Sequence, residues 1–275
     1  MTFGARLREA IDNRGPFCVG IDPHPALMDQ WGLTDSAVGL EKFALTVVEA
    51  LAPTLAILKP QSAFFERHGS KGIAVLERVV IETRAAGALV LLDVKRGDIG
   101  STAQAYADAY LDQTSPIAVD AITVSPFLGF GSVEPMIETA LANGAGVFVL
   151  ALTSNPEGPQ VQHAATADGR TVAGMILDAI ATVNVDATPL GSIGAVVGAT
   201  IDGTGMNFAV NGPLLAPGVG AQGGTAADVR RIFGSAAGNV LPSSSREILA
   251  AGPDKRSIRA AAERAAQEFA GLTGA

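Results

Sequence analysis

Between residues 93 and 98 the chain reads DVKRGD, four charged side chains in six within a sequence that is only 17% charged. The segment closes an apolar run of strand length, LVLLDVK (89–95). A strand sends alternate side chains to opposite faces, so Asp93 and Lys95 share one face while Val94 takes the other. An exposed Asp–Lys pair contributes only ~0–1 kcal/mol, and alone it is no more than a solvated strand end. Its company changes the reading. Asp22 ends FCVGID (17–22), Lys59 lies at the end of LAILKP (55–60), and Ser125 lies at the end of AITVSP (121–126). Each is a polar residue at the C-terminal end of an otherwise apolar run.

A second cluster has the chemistry of anion capture. The stretch PGVGAQGGT (217–225) is rich in glycine and contains Gln222 and Gly223. It leads into a helix that Thr225 and Asp228 would open as a capping box. NVLPSSS (239–245) then places Arg246 beside it. Glycine lets the backbone approach an anion, free N–H groups at a helix start bind phosphate, and a guanidinium clamps it through two donors. Phosphate binding is therefore the expected role of this second cluster.

The elements that must position these groups alternate. Further apolar runs occur at 146–154, 193–200 and 213–219, unbroken in the manner of parallel strands covered on both faces. Amphipathic segments separate most of them. Leu40, Phe43, Ala44, Val47, Val48 and Leu51 follow one helix face, as do Ile258, Ala261, Ala265 and Phe269. The alternation predicts an α/β fold, a (β/α)₈ TIM barrel forming a single domain over 1–275, with a doubly wound sheet as the alternative. In a barrel, Leu92 and Val94 face the helices and Asp93 and Lys95 face the mouth. Barrel enzymes carry their active sites at the C-terminal ends of the strands, and often bind phosphate after strands seven and eight. Residues 201–212 are too few for a crossover helix, and 155–170 form a polar insertion.

Composition narrows the function classes. The net charge of −8 disfavours nonspecific nucleic-acid binding. No apolar run approaches a membrane span, no secretory signal is visible, and Cys18 is the only cysteine, so a reducing cytoplasm is the expected setting. The three histidines are dispersed, leaving no zinc-type cluster, and no metal or cofactor is expected. His24, His68 and His163 read as loop or surface residues, His24 following Asp22 closely enough to line the mouth, and Trp31, Tyr106 and Tyr110 as packing or interface residues. GSIGAVVGAT lies inside a strand and has no dinucleotide fingerprint.

On GIDPHP, LKPQSAFFE, LLDVKRGDIGSTA, TVSPFLG, TSNP and PGVGAQGG, the chain closely resembles the orotidine 5′-monophosphate decarboxylase family, from about residue 14 to 250. It is similar to the longer branch found in many bacteria, including mycobacteria. The resemblance implies a cofactor-independent decarboxylation that yields UMP for pyrimidine biosynthesis. It implies a charge network of Lys59, Asp93, Lys95 and Asp98, with Lys95 protonating C6 and Asp93 beside the departing carboxylate. Asp22 and Lys59 would contact the ribose and Ser125 the pyrimidine. Gln222 and Arg246 would grip the phosphate, with 217–224 as a lid. Asp98 and Thr102 would reach into a partner subunit's site, which implies a homodimer. One departure stands out: shorter family members carry glycine where this chain has Ser245. The rivals are a magnesium-dependent sugar-phosphate decarboxylase or aldolase on the same barrel, a Schiff-base lysine enzyme, and an inactive barrel that binds UMP as a sensor.

Overall fold

The computed structural model describes residues 1–201, 205–220 and 223–272. Eight parallel strands close into a barrel in sequence order: β1 (Cys18–Ile21), β2 (Ile57–Pro60), β3 (Leu89–Arg96), β4 (Ala121–Val124), β5 (Gly146–Leu152), β6 (Ile193–Val197), β7 (Leu214–Pro217) and β8 (Val240–Ser244). The closing seam pairs Cys18 with Ser243 and Val19 with Ser244. Helices including Ala37–Leu51, Gly69–Ala85, Gly100–Leu111, Val172–Val183 and Lys255–Phe269 cover the outside. No described helix is long and apolar enough to cross a membrane.

The period-two pattern divides the apolar side chains into two cores. Inside the barrel each strand contributes one residue to a shared cluster: Cys18, Ile57, Leu91, Ala121, Phe148, Val196, Leu215 and Leu241. Phe3, Leu7 and Ile11 of the N-terminal helix (Phe3–Arg14) plug this cluster from below. Phe3 meets Phe148 edge to face at 6.1 Å. Gly194 makes room there, since a Cβ would come within 2.9 Å of the Phe148 ring. The outer core lies between strands and helices and takes the alternate residues, among them Val90, Leu92 and Val94. Asp93 consequently points inward, as its spacing predicts.

Two connections depart from the repeating unit. Between β6 and β7 the described residues form no helix, as the shortness of 201–212 predicts. After β5 the polar stretch forms one short helix, Pro159–Gln162, and a bridge between Ala165 and Thr171 before the next long helix begins.

The N-terminal end of the barrel is fastened by one buried carboxylate. Asp120 accepts from Arg6 at 2.7 Å, from Arg84 at 3.1 Å and from the Val90 N–H at 2.9 Å. Contacts at this face serve stability, because the chemistry of barrels lies at the other end. Asp120→Ala orphans a buried N–H and separates two guanidinium groups from their partner. It is expected to cost roughly 3 kcal/mol. Urea unfolding checks this, and ligand binding at the opposite mouth is expected to survive.

Candidate active site

The strand ends converge on Asp93. The carboxylate is 7% exposed and both of its oxygens are engaged. Oδ2 lies 3.4 Å from the Lys59 ammonium, which arrives inward from β2 and is itself buried. Oδ1 takes the Lys95 ammonium at 2.6 Å and the Thr123 hydroxyl at 2.7 Å. Thr123 in turn accepts the Lys95 backbone N–H at 3.0 Å. One carboxylate thus spaces two ammonium groups, with Thr123 fixing both the acid and the backbone of the outer lysine.

The electrostatics follow from burial and proximity. Burial works to raise the Asp93 carboxyl, but Lys59 and Lys95, with hydrogen bonds from Lys95 and Thr123, hold it below the usual carboxylate range. Burial likewise works to lower the Lys59 ammonium, yet the attraction of Asp93 and then Asp22 carries it above the usual lysine range. Both groups are therefore ionised at neutral pH. Beneath them, Cys18 is pushed up to about 11 by burial and remains an un-ionised thiol in the inner core.

Lys95 reaches its place by a route that simple alternation does not describe. Its backbone has φ +45°, in the left-handed region, and the β3–β4 register shifts between Leu92 and Arg96. Such a conformation is uncommon for a residue with a Cβ and costs on the order of 1 kcal/mol or more. Its side chain is 46% exposed against 9% for Asp93, so Lys95 stands at the lip while Asp93 lies in the wall.

The next charge turns the other way. Arg96 pairs with Glu66, approaches Tyr110 and stands over the Tyr106 ring at 5.5 Å. It anchors β3 to the helices rather than joining the mouth. Glu66 belongs to LKPQSAFFE, so the segment that supplies Lys59 also supplies the partner of Arg96.

The remaining predicted residues occupy distinct places. Asp22 lies at the end of β1. One of its oxygens accepts from the Ser245 hydroxyl, and the other, Oδ1, is buried without a hydrogen-bond partner among the described residues. A cavity of about 320 Å³ opens beside it, lined by Asp22, His24, Lys59, Gly218, Ser245 and Arg246 among others. Arg246 is exposed at the start of the helix Arg246–Leu249. Ser125 is half-buried just beyond β4, its N–H bonded to the Arg96 carbonyl at 2.8 Å. Among the described residues Asp98 accepts from the Ile99 N–H, at 2.8 Å, and it makes no ion pair with Lys59 or Lys95 of its own chain. Thr102 is exposed on the helix Gly100–Leu111. Gly223 has φ +88° and donates its N–H to the Gly220 carbonyl at 2.7 Å. Gln222 lies outside the described residues. Thr225 and Asp228 form the expected capping box.

Two participants, Thr123 and Ser245, were given no part in the sequence reading. Thr123 was discoverable, because Ala121 faces inward and period two carries Thr123 to the same side. Ser245 registered only as a departure from a pattern. His24, close enough to Asp22 in sequence to line the mouth, does line the cavity, and its ring packs 4.3 Å from Phe64.

Comparison with known proteins places this geometry among relatives. A sequence profile described as "Orotidine 5′-phosphate decarboxylase / HUMPS family" matches residues 15–261. A Nocardioides protein named orotidine 5′-phosphate decarboxylase is 69% identical over 250 residues, covering 90% of this chain and 91% of the relative. One of the same name from Salinispora tropica is 63% identical over 275 residues, covering 99% of both. The structure of Leishmania donovani OMP decarboxylase superposes with a TM-score of 0.78 at 29% identity, covering 100% of both chains. A profile match over most of the chain, relatives 69% and 63% identical along nearly their whole length and a shared closed-barrel fold establish the family: the chain belongs to the orotidine 5′-phosphate decarboxylase / HUMPS family.

Proposed function

We propose that this protein is an orotidine 5′-monophosphate decarboxylase that works without a cofactor, releasing carbon dioxide and forming UMP for pyrimidine biosynthesis. The observation that carries the reading is the buried Asp93 carboxylate held between the Lys59 and Lys95 ammonium groups at the C-terminal mouth. In the reaction the bond from C6 to the carboxylate carbon breaks, and its electron pair stays on C6. Lys95 faces that developing charge as a pre-oriented cation and then transfers its proton to C6. Asp93 lies beside the departing carboxylate and holds Lys95 in line.

The rest of the nucleotide extends toward the cavity. Asp22 and Lys59 take the ribose, Ser125 the pyrimidine, and Arg246 with the 217–224 loop, including Gln222 and Gly223, the phosphate. Closure of that loop would turn phosphate binding into a lower barrier at C6. Turnover of orotidine 5′-monophosphate, followed by loss of orotate absorbance, is expected to proceed unchanged in excess chelator. No turnover would favour a UMP sensor, and chelator-sensitive turnover would favour the magnesium-dependent rival.

The enzyme acts as a homodimer in this reading. Ile99 is 62% exposed, Phe127 75% and Leu128 55%, a set of apolar side chains that a second copy would cover. Asp98 and Thr102 lie on the same β3 exit as Ile99, free to enter the partner's site. A mixture of Lys95→Ala and Asp98→Ala subunits tests this. Each heterodimer would hold one intact site, so random assortment is expected to restore about a quarter of wild-type activity. Sites built within one chain would give no restoration. A cytoplasmic location fits the buried, reduced Cys18.

A further inference from the structure

We infer that Ser245 is a positioning residue for Asp22, coupling the sugar end of the bound nucleotide to its phosphate end. The inference rests on the proposed reading of the cavity as the site of orotidine 5′-monophosphate.

Ser245 follows β8 directly and precedes Arg246. Its hydroxyl donates to Asp22 Oδ2 across the seam where β8 meets β1. The two residues are 223 positions apart in sequence. Gly20 keeps the contact open: a Cβ there would stand 2.8 Å from the Ser245 Cβ and 3.0 Å from Asp22 Oδ1. The carboxylate plane is therefore set by one donor on one side and an uncrowded glycine on the other.

The consequence appears at the second oxygen. Asp22 Oδ1 is buried and accepts no hydrogen bond from a described residue, although its neighbours line the cavity. A buried acceptor without a donor is costly and uncommon. A sugar hydroxyl in the cavity would supply the missing donor. With Oδ2 fixed by Ser245, Oδ1 can point only where that hydroxyl is wanted. Without Ser245 the carboxylate is free to turn, and the attraction between Asp22 and Lys59 gives it somewhere else to go. Because Arg246 follows Ser245 in the chain, the same turn that presents the guanidinium also sets the carboxylate.

A double-mutant cycle on UMP binding and on turnover tests the inference. Ser245→Ala is expected to weaken UMP binding and raise KM roughly tenfold, the effect of one hydrogen bond to a charged group. kcat should change less than about threefold, because the contact acts on binding of substrate and transition state alike. Melting should stay within about 3 °C of wild type, given the partly exposed site. In an Asp22→Ala background the same serine replacement should alter UMP binding by less than about twofold. Ser245→Gly, which removes the same hydroxyl, serves as a second variant if the alanine variant folds poorly. Unchanged UMP binding in both serine variants overturns the inference, as does an equal effect with and without Asp22. If the wild-type protein decarboxylates orotidine 5′-monophosphate and the serine variants match it, only this inference fails. If the wild type has no such activity, the functional reading fails and this inference falls with it.

Discussion

Replacing Lys95 with alanine is expected to lower the decarboxylation rate by roughly 10⁵-fold while UMP still binds. Two separate contributions disappear together. A pre-oriented charge opposite a developing anion is worth about 10²–10³ in rate. A positioned proton donor contributes about 10²–10⁴. The two act through one ammonium, so their product is an upper bound rather than a sum of independent losses. Alanine is a suitable replacement because it carries a Cβ as lysine does, so the cost of the left-handed backbone at φ +45° is left unchanged. The Lys95 N–H to Thr123 bond at 3.0 Å can also persist. Single-turnover product formation measures the loss, and calorimetric titration with UMP separates it from binding. Turnover within tenfold of wild type would remove Lys95 from the mechanism.

The selectivity of that loss depends on how the barrel divides its charges. Residues 93–98 look like one charged cluster in the sequence, but the strand sorts them by face. Asp93 enters the mouth with Lys95 at its lip, while Arg96 turns outward to Glu66. The alternation behind the first assignment was legible because Leu92 and Val94 are apolar and Asp93 is not. The barrel was legible for a related reason: strands covered on both faces leave unbroken apolar runs. Polar residues at the C-terminal ends of four such runs then located the mouth.

What could not be read depends on contacts between distant segments or on unusual backbone. No local signal marks a lysine for the left-handed region, where asparagine and glycine are the expected residues. A shift in β3–β4 pairing accompanies it, and the Lys95 N–H is bonded to Thr123, 28 residues away. Ser245 is informative only once β8 closes on β1, because its partner Asp22 lies at the other end of the chain. Ser125 drew attention at the end of its run, whereas Thr123, two residues earlier and facing inward, engages Asp93 directly.

Asp93→Asn is expected to cost about 3 kcal/mol of stability near neutral pH, besides disrupting the presentation of Lys95. The cost arises because Lys59 remains buried after its nearest counter-charge has gone; both side chains are less than a tenth exposed. The pH dependence distinguishes this cause from loss of a hydrogen bond. In the wild type the Asp93 carboxyl titrates below its ordinary range, so its contribution is present above that range and fades as pH falls through the lowered value. Lys59 titrates above its ordinary range, so its contribution is present below that range and fades only as pH climbs through the raised value. The pair's stabilisation is therefore flat from about pH 5 to pH 9. In the variant the balance at Lys59 changes. Burial, the largest influence on this ammonium, is then opposed mainly by the weaker attraction of Asp22. The folded state consequently releases the lysine proton more readily than the unfolded chain does, and stability rises with pH as that happens. The gap between wild type and Asp93→Asn should thus be widest near neutrality, beginning to narrow near about pH 4, where the unfolded chain takes up the Asp93 proton that the folded state does not, and narrowing again on the alkaline side. Urea unfolding of both proteins from about pH 4 to pH 10 measures it. A gap independent of pH would assign the cost to the hydrogen bonds with Thr123 and Lys95, because only a stranded buried charge can be relieved by losing its proton.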